Sequence, residues 1–182
     1  MSGEEKWLYG DEGDDSIWGS NNITKQYIFG GEGDDEIQSG MNINENYIHG
    51  GKGDDVIRPA SHRVSSWSER FGATEIVRGG EGNDVINPIV PVFDDNGDLD
   101  NATTFGARYN RGHLWDGGEG DDIIWGTRNS RGGATYLGGN GDDTFYGAHS
   151  PQSNTEIRYV GQGGKDEFQL DFQGDTGRFR SV

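Results

Sequence analysis

The chain has 182 residues, of which 30% are hydrophobic and 33 are glycine, so we expect one domain with a small apolar core. Its formal net charge of −17 disfavours nucleic acids and anionic membrane surfaces as partners and favours cations. Cysteine is absent, which excludes disulfides and thiolate metal sites, and no apolar run is long enough to insert into a membrane.

A nine-residue motif recurs along the chain. The first copy reads GDEGDDSIW and the second reads GGEGDDEIQ. Every copy has glycine at positions 1 and 4, aspartate at position 6 and a large apolar residue at position 8. The seven copies span residues 10–18, 30–38, 50–58, 79–87, 117–125, 138–146 and 161–169.

Each copy is predicted to join two short strands. An apolar residue lies two positions before each motif, as Leu8 does before Gly10, and belongs to the strand that enters the turn. The apolar residue at position 8 belongs to the strand that leaves it. The position-6 aspartates follow one another at intervals of 20, 20, 29, 38, 21 and 23 residues. A period near 20 predicts a solenoid, in which each repeat forms one coil that packs on its neighbours.

The predicted fold is a single all-β domain over residues 1–182, a parallel β-solenoid of about seven coils. The longer intervals place insertions at 59–75 and 88–113, between motifs and never inside one. We therefore expect both insertions on the edge opposite the motifs. They are the candidate contact sites for a protein or carbohydrate partner, since excursions from a rigid scaffold often carry function. The alternative is that this edge simply tolerates extra length.

The first six residues of each copy, called here the glycine–aspartate turn, carry the ligands expected of a calcium site. Glycines permit a tight reversal that exposes carbonyl oxygens, and the aspartate adds a carboxylate. Ca²⁺ takes six to eight oxygens, whereas Zn²⁺ prefers Cys or His, and no turn contains either. Two stacked turns would have to share an ion. Twelve of the 32 acidic residues lie at positions 5 and 6, where they would repel one another without cations.

The motif resembles the calcium-binding nonapeptide G-G-x-G-x-D-x-U-x of RTX (hemolysin-type) proteins. The resemblance implies a β-roll with an ion between successive turns, and about six ions as the ceiling for seven turns. It implies these carboxylate ligands: Asp15, Asp35, Asp55, Asp84, Asp122, Asp143 and Asp166. It implies these carbonyl ligands: Gly10, Gly13, Gly30, Gly33, Gly50, Gly53, Gly79, Gly82, Gly117, Gly120, Gly138 and Gly141.

The chain departs from the usual RTX pattern in two respects. RTX repeats usually run in tandem, two per coil, whereas each coil here has one motif and one other turn, so we expect a single row of ions. Asp11 replaces glycine in the first motif, and Gln162 and Lys165 alter the last. We expect the end turns to bind calcium weakly or to act as caps.

Two further patterns have competing interpretations. Residues 94–100, DDNGDLD, resemble the start of an EF-hand loop but lack its glycine at the sixth position, so a solvated acidic loop is favoured over a separate calcium site. Outward aromatic rows predict either a binding face for a sugar or protein or, as we favour, ring stacking between neighbouring coils. These rows include Trp7, Tyr27, Tyr47, Trp18, Trp125 and Tyr146.

No catalytic motif is present, since neither H-E-x-x-H nor G-x-S-x-G occurs. We therefore expect a non-enzymatic calcium-binding β-roll that folds with Ca²⁺ and acts as a structural, binding or assembly module. The alternative is the repeat module of a larger secreted enzyme or toxin, such as a protease, lipase or polysaccharide epimerase, with its catalytic domain elsewhere. The resemblance favours secretion without a cleaved N-terminal signal, and an intracellular location stays open.

Overall fold

The computed structural model describes residues 4–40, 45–59, 74–87, 113–126, 133–149 and 157–172. These segments contain no helix that is long and apolar enough to span a membrane. Their strands are β1 Glu5–Glu12, β2 Ser16–Trp18, β3 Lys25–Glu32, β4 Glu36–Gln38, β5 Glu45–Lys52, β6 Val56–Arg58, β7 Thr74–Glu81, β8 Val85–Ile86, β9 His113–Glu119, β10 Ile123–Trp125, β11 Ala134–Asn140, β12 Thr144–His149, β13 Ile157–Gly163 and β14 Glu167–Phe172.

Each coil consists of a long strand, a glycine–aspartate turn and a second strand, which is short in most coils. The long strands pair in parallel in one seven-stranded sheet, in the order β1-β3-β5-β7-β9-β11-β13. The second strands form another seven-stranded sheet, in the order β2-β4-β6-β8-β10-β12-β14. All of these pairings are parallel, as expected when each coil repeats the path of the one before. The predicted fold class, an all-β parallel solenoid, is confirmed.

The strand register keeps equivalent positions of the repeats side by side. Between β3 and β5, Ile28 pairs with Ile48. The same register holds across the longest interval between motifs, because Val77 of β7 pairs with Trp115 of β9. Extra chain length between coils therefore leaves the stacking of the turns unchanged.

The two predicted insertions lie mostly outside the described residues, as does the acidic segment 94–100. The flanking strands end and begin at the edge of the solenoid opposite the glycine–aspartate turns, as expected for insertions on that edge. Thr74, Glu75 and His113 belong to strands, because the parallel pairing of β5, β7 and β9 extends to these residues.

The core consists of two columns of apolar side chains, one from each sheet. The residue two positions before each motif faces inward from the long strand, and the position-8 residue faces it from the second strand. Leu8, Ile17 and Phe168 are only partly buried, because they lie in the first and last coils. The other members are buried: Ile28, Ile37, Ile48, Ile57, Val77, Ile86, Trp115, Ile124, Tyr136, Phe145 and Tyr159.

A third inward column, not predicted from the sequence, is polar in the second to fifth coils and continues as the buried apolar residues Ala134 and Ile157 in the last two. Gln26, Asn46, Glu75 and His113 are buried in successive register positions, each four residues before a motif. Asn46 Nδ2 donates to Glu75 Oε1 at 3.1 Å, and His113 Nε2 lies 2.8 Å from the hydroxyl of Tyr136. Burial lowers the pKa of His113 to about 3, so the ring is neutral at neutral pH. The period-two alternation of these strands was the signal for this column.

Several outward aromatic side chains stack between neighbouring coils, whereas Trp18 lies in register with Gln38 and is 67% exposed. The ring centroids of Trp7 and Tyr27 are 4.0 Å apart, with planes 12° from parallel. Those of Trp125 and Tyr146 are 4.1 Å apart, with planes at 16°. The favoured interpretation, cross-strand stacking, is confirmed for these pairs.

Candidate metal centre

The glycine–aspartate turns depend on two backbone positions with positive φ. At position 2 the angle runs from 74° at Asp11 to 137° at Gly80, and position 4, always glycine, has φ between 104° and 139°. Close packing adds a second requirement for glycine. A Cβ atom at Gly31 would lie 1.9 Å from the carbonyl oxygen of Asp11 in the preceding coil. Positive φ and close packing therefore favour glycine at these positions of the stacked turns.

The position-6 carboxylates form a hydrogen-bonded ladder along the solenoid. The backbone N–H of Asp15 donates to Asp35 Oδ1 at 2.9 Å, and the N–H of Asp35 donates to Asp55 Oδ1 at 2.9 Å. The same contact, at 2.8–3.2 Å, joins each later pair up to Asp143 and Asp166. Each carboxylate is therefore held in one orientation, with Oδ1 directed toward the preceding coil.

The other carboxylate oxygen, Oδ2, is buried and has no hydrogen-bond donor among the described residues. A buried charged oxygen without a partner is costly, so this arrangement suits an oxygen that binds a cation. The atoms concerned are Oδ2 of Asp15, Asp35, Asp55, Asp84, Asp122 and Asp143.

A carbonyl oxygen from the next coil lies beside Oδ2 in the first five coils. A Cβ atom at Gly30 would lie 2.1 Å from Asp35 Oδ2 and 2.5 Å from the carbonyl oxygen of Gly50. The equivalent distances at the position-1 glycines of four other coils are 2.0–2.7 Å; these residues are Gly10, Gly50, Gly79 and Gly117. Glycine at position 1 thus leaves room for a carboxylate oxygen and a carbonyl oxygen from adjacent coils, which are ligands that Ca²⁺ prefers.

The position-4 carbonyls, also predicted as ligands, have a different neighbour. A Cβ atom at Gly53 would lie 2.3 Å from the carbonyl oxygen of Gly33, and one at Gly82 would lie 2.1 Å from that of Gly53. These carbonyls therefore face the position-4 glycine of the following coil. The structure brings the position-6 carboxylates together with the position-1 carbonyls, and it places the position-4 carbonyls further along the same turns.

A second ladder, at position 5, runs in the opposite direction and was not predicted. Asp14 Oδ1 accepts a hydrogen bond from the N–H of Asp34 at 2.9 Å, and Asp34 Oδ1 accepts one from Asp54 at 2.8 Å. The ladder continues through Asn83 to the N–H of Lys165 at 2.7–2.8 Å. These acids are thus hydrogen-bond acceptors as well as repelling charges. The signal was that every position-5 residue except Lys165 is Asp or Asn.

Burial raises the pKa of five position-6 aspartates, those of the second to the sixth turn, in the metal-free fold. Loss of hydration is the largest cause; the hydrogen bond from the backbone N–H opposes it, and neighbouring carboxylates add to it. The pKa rises to about 7 for Asp55 and Asp122, to about 8 for Asp84 and to about 6 for Asp143. The pKa of Asp35 is raised in the same way. A fully charged row is therefore unfavourable at neutral pH unless cations compensate it.

We expect the metal-free chain to be more stable at pH 5 than at pH 8. The folded pKa values exceed the value of about 3.9 for an exposed aspartate, so protonation favours the folded state. This contribution is complete below about pH 4 and is lost as pH rises through the window from about 6 to about 8. The β signal in far-UV circular dichroism, recorded in EDTA at several pH values, measures the folded fraction. Stability that rises across this window would contradict the expectation.

A family model for the RTX calcium-binding nonapeptide repeat matches residues 7–22, 27–41, 42–58, 71–87, 116–129 and 131–148. These segments cover more than half of the chain and contain the first six glycine–aspartate turns. The chain belongs to the RTX calcium-binding nonapeptide repeat family. The seventh turn, at 161–166, follows the last matched segment. Searches of curated proteins and of solved structures found no match.

Membership in the RTX family identifies the coils as a calcium-binding β-roll module. The resemblance read from the glycine and aspartate positions is therefore confirmed. In the described coils the RTX turns form one row along one edge, because each coil has a single copy of the motif. The family and the fold point to a repeat module that binds Ca²⁺.

Proposed function

We propose that this RTX chain requires Ca²⁺ to fold and acts outside the cell as a non-catalytic structural, binding or assembly module. One observation carries the proposal: in five successive coils, a buried Oδ2 that has no donor among the described residues lies beside a carbonyl oxygen of the next coil. Bound Ca²⁺ would supply the positive charge that these oxygens need and would link adjacent coils. The extracellular setting is supported by the occurrence of RTX repeats in secreted proteins.

The proposed ligands are the seven position-6 carboxylates with the position-1 and position-4 carbonyls of the turns. The chain positions them in two ways. The Oδ1 ladder fixes each carboxylate, and glycine at position 1 keeps the space beside Oδ2 free of a side chain. In the last turn Asp166 is less buried than Asp143, and Lys165 adds a positive charge, so we expect weak binding there.

A partner of the folded module would bind on the edge opposite the glycine–aspartate turns. The insertions at 59–75 and 88–113 begin and end on the opposite edge, so a protein or carbohydrate bound there would leave the turns free. Their position on a rigid scaffold supports this assignment.

Calorimetric titration of EDTA-treated, dialysed chain with CaCl₂ tests the proposal. We expect about six ions per chain, because seven turns leave six gaps and each ion needs oxygens from two turns. Proton release should accompany binding near pH 7, since ligand carboxylates must be deprotonated. Mg²⁺ is the matched control; we expect weaker binding because it demands near-ideal octahedral geometry. Saturation at one ion, or equal binding of Mg²⁺, would contradict the proposal.

A further inference from the structure

The first coil presents an open edge of both sheets. Strand β1 pairs with β3, and β2 pairs with β4, and no other described strand pairs with β1 or β2. Trp7, Tyr9 and Trp18 of this coil are 50%, 59% and 67% exposed. A long edge strand with exposed aromatic side chains is a surface on which another strand can pair.

The last coil presents the opposite edges of the same two sheets. Strands β13 and β14 end the two sheets, and Phe168 of the core is only partly buried. This coil has Arg158 on its outer face and Lys165 in its turn, both exposed. The first coil instead has six acidic residues and one lysine between Glu4 and Trp18. The last coil also carries Asp166, Glu167 and Asp171, so it is less acidic than the first coil, and its favourable charges toward that coil are the two cations Arg158 and Lys165.

We propose that the last coil of one copy stacks on the first coil of a second copy, so that both sheets continue from head to tail. The inference rests on the proposed function only in that Ca²⁺ must first fold each copy. A heterologous contact of this kind repeats from copy to copy and builds open filaments unless it closes into a ring.

The strand register identifies the side chains that would meet at this junction. Trp7 and Arg158 belong to one outward row, which runs through equivalent positions of all the long strands. Continuing the register by one coil places the guanidinium of Arg158 on the exposed face of the next copy's Trp7, a cation–π contact. In the neighbouring outward row Val160 would meet Tyr9, and in the core Phe168 would meet Ile17.

The position-6 hydrogen-bond ladder can also continue across the junction. In each turn from the first to the sixth, the position-6 N–H donates to the carboxylate of the following coil. No described coil follows Asp166, and none precedes Asp15. Head-to-tail stacking would give the N–H of Asp166 the Oδ1 of the next copy's Asp15. Lys165, which replaces the usual acid at position 5, would then lie beside the acidic first turn.

The first turn already has the shape that a preceding coil requires. Position 2 of the first turn is Asp11, with φ of 74°, where the inner coils have glycine. A side chain at this position does not prevent stacking on a preceding coil, because Gln162, with φ of 81°, occupies position 2 of the last turn and pairs with Gly139 of the coil before it. At position 4 of the first turn, a Cβ atom at Gly13 would meet nothing within 4 Å. In the second turn a Cβ at Gly33 would lie 2.6 Å from the Gly13 carbonyl oxygen. The space above Gly13 can thus accept the carbonyl of another coil.

Complementary end-blocked variants test this arrangement by sedimentation velocity in saturating Ca²⁺. Tyr9→Glu blocks the first coil, here called the head, and Val160→Glu blocks the last coil, here called the tail. Each substitution places a charge in the same outward row of the junction. We expect the sedimentation coefficient of the wild type to increase with protein concentration over about a hundredfold range. Each variant alone should associate at least about tenfold more weakly. An equimolar mixture of the two should stop at the dimer, since only one functional head and one functional tail remain.

Ile76→Glu is the matched control, because it places the same charge on the outer face of an internal strand, and it should associate like the wild type. Circular dichroism of each sample separates the two proposals. A wild type that is folded in Ca²⁺ but monomeric at every concentration overturns the head-to-tail inference alone. Loss of association in Ile76→Glu, or assembly of either end-blocked variant alone, overturns it as well. A chain that stays unfolded in Ca²⁺ overturns the proposed function instead.

Discussion

In EDTA the chain is expected to lose most of its β-structure, and Ca²⁺ is expected to restore it. The core is only three columns of side chains wide, and one of these columns is polar in four coils, so it offers little apolar burial against the entropy cost of ordering each coil. Six of the seven turns also bury a carboxylate oxygen that has no donor among the described residues, and burial raises the pKa of Asp55 to about 7 and of Asp84 to about 8. Without a cation these groups oppose folding; with one they favour it.

Far-UV circular dichroism and tryptophan fluorescence measure this transition. Trp115 is fully buried, so its emission should shift to shorter wavelength as Ca²⁺ is added. NaCl at matched ionic strength is the control, because it screens repulsion between carboxylates without occupying a specific site. A sample in EDTA with the same β signal as the calcium-loaded sample would show that the fold does not need the ion. Full recovery of the β signal in NaCl would mean that Ca²⁺ acts only by screening the repulsion between carboxylates.

Asp55→Asn is expected to raise the Ca²⁺ concentration at the folding midpoint by at least about tenfold, roughly 1.4 kcal/mol. The substitution keeps an oxygen that can accept the hydrogen bond from Asp35, but it replaces the charged Oδ2 with a neutral NH₂ group. The position therefore keeps its ladder and loses a metal ligand. In EDTA the variant should be at least as stable as the wild type, because it no longer buries a charge.

Asp54→Asn is the matched control for that variant, one residue away in the same turn. Its Oδ1 can still accept the hydrogen bond from Asn83, and the chain itself has Asn83 at this position in the next coil. We expect its midpoint to stay within about twofold of the wild type. Calcium titrations followed by circular dichroism compare the two variants. Equal shifts would mean that the ion responds to the total charge of the turn, not to the position-6 carboxylate.

Much of the fold was predictable from the sequence, because the motif repeats in phase. Glycine at positions 1 and 4 predicted the turns, the apolar residues on either side predicted the two inward columns, and the spacing of the aspartates predicted the coils. Each of these features is local to one coil. The family and the carboxylate half of the candidate site followed from the same local pattern.

Contacts between coils required the tertiary structure. Asp84 and Asp122 are 38 residues apart, and only the register shows that the N–H of one donates to the carboxylate of the other. The opposite directions of the two ladders, the position-5 acceptors and the buried pair Asn46 and Glu75 depend on the same register. A sequence lists the donors and acceptors of each turn, but the stacking of parallel coils decides which of them meet, because every such bond joins residues from different coils.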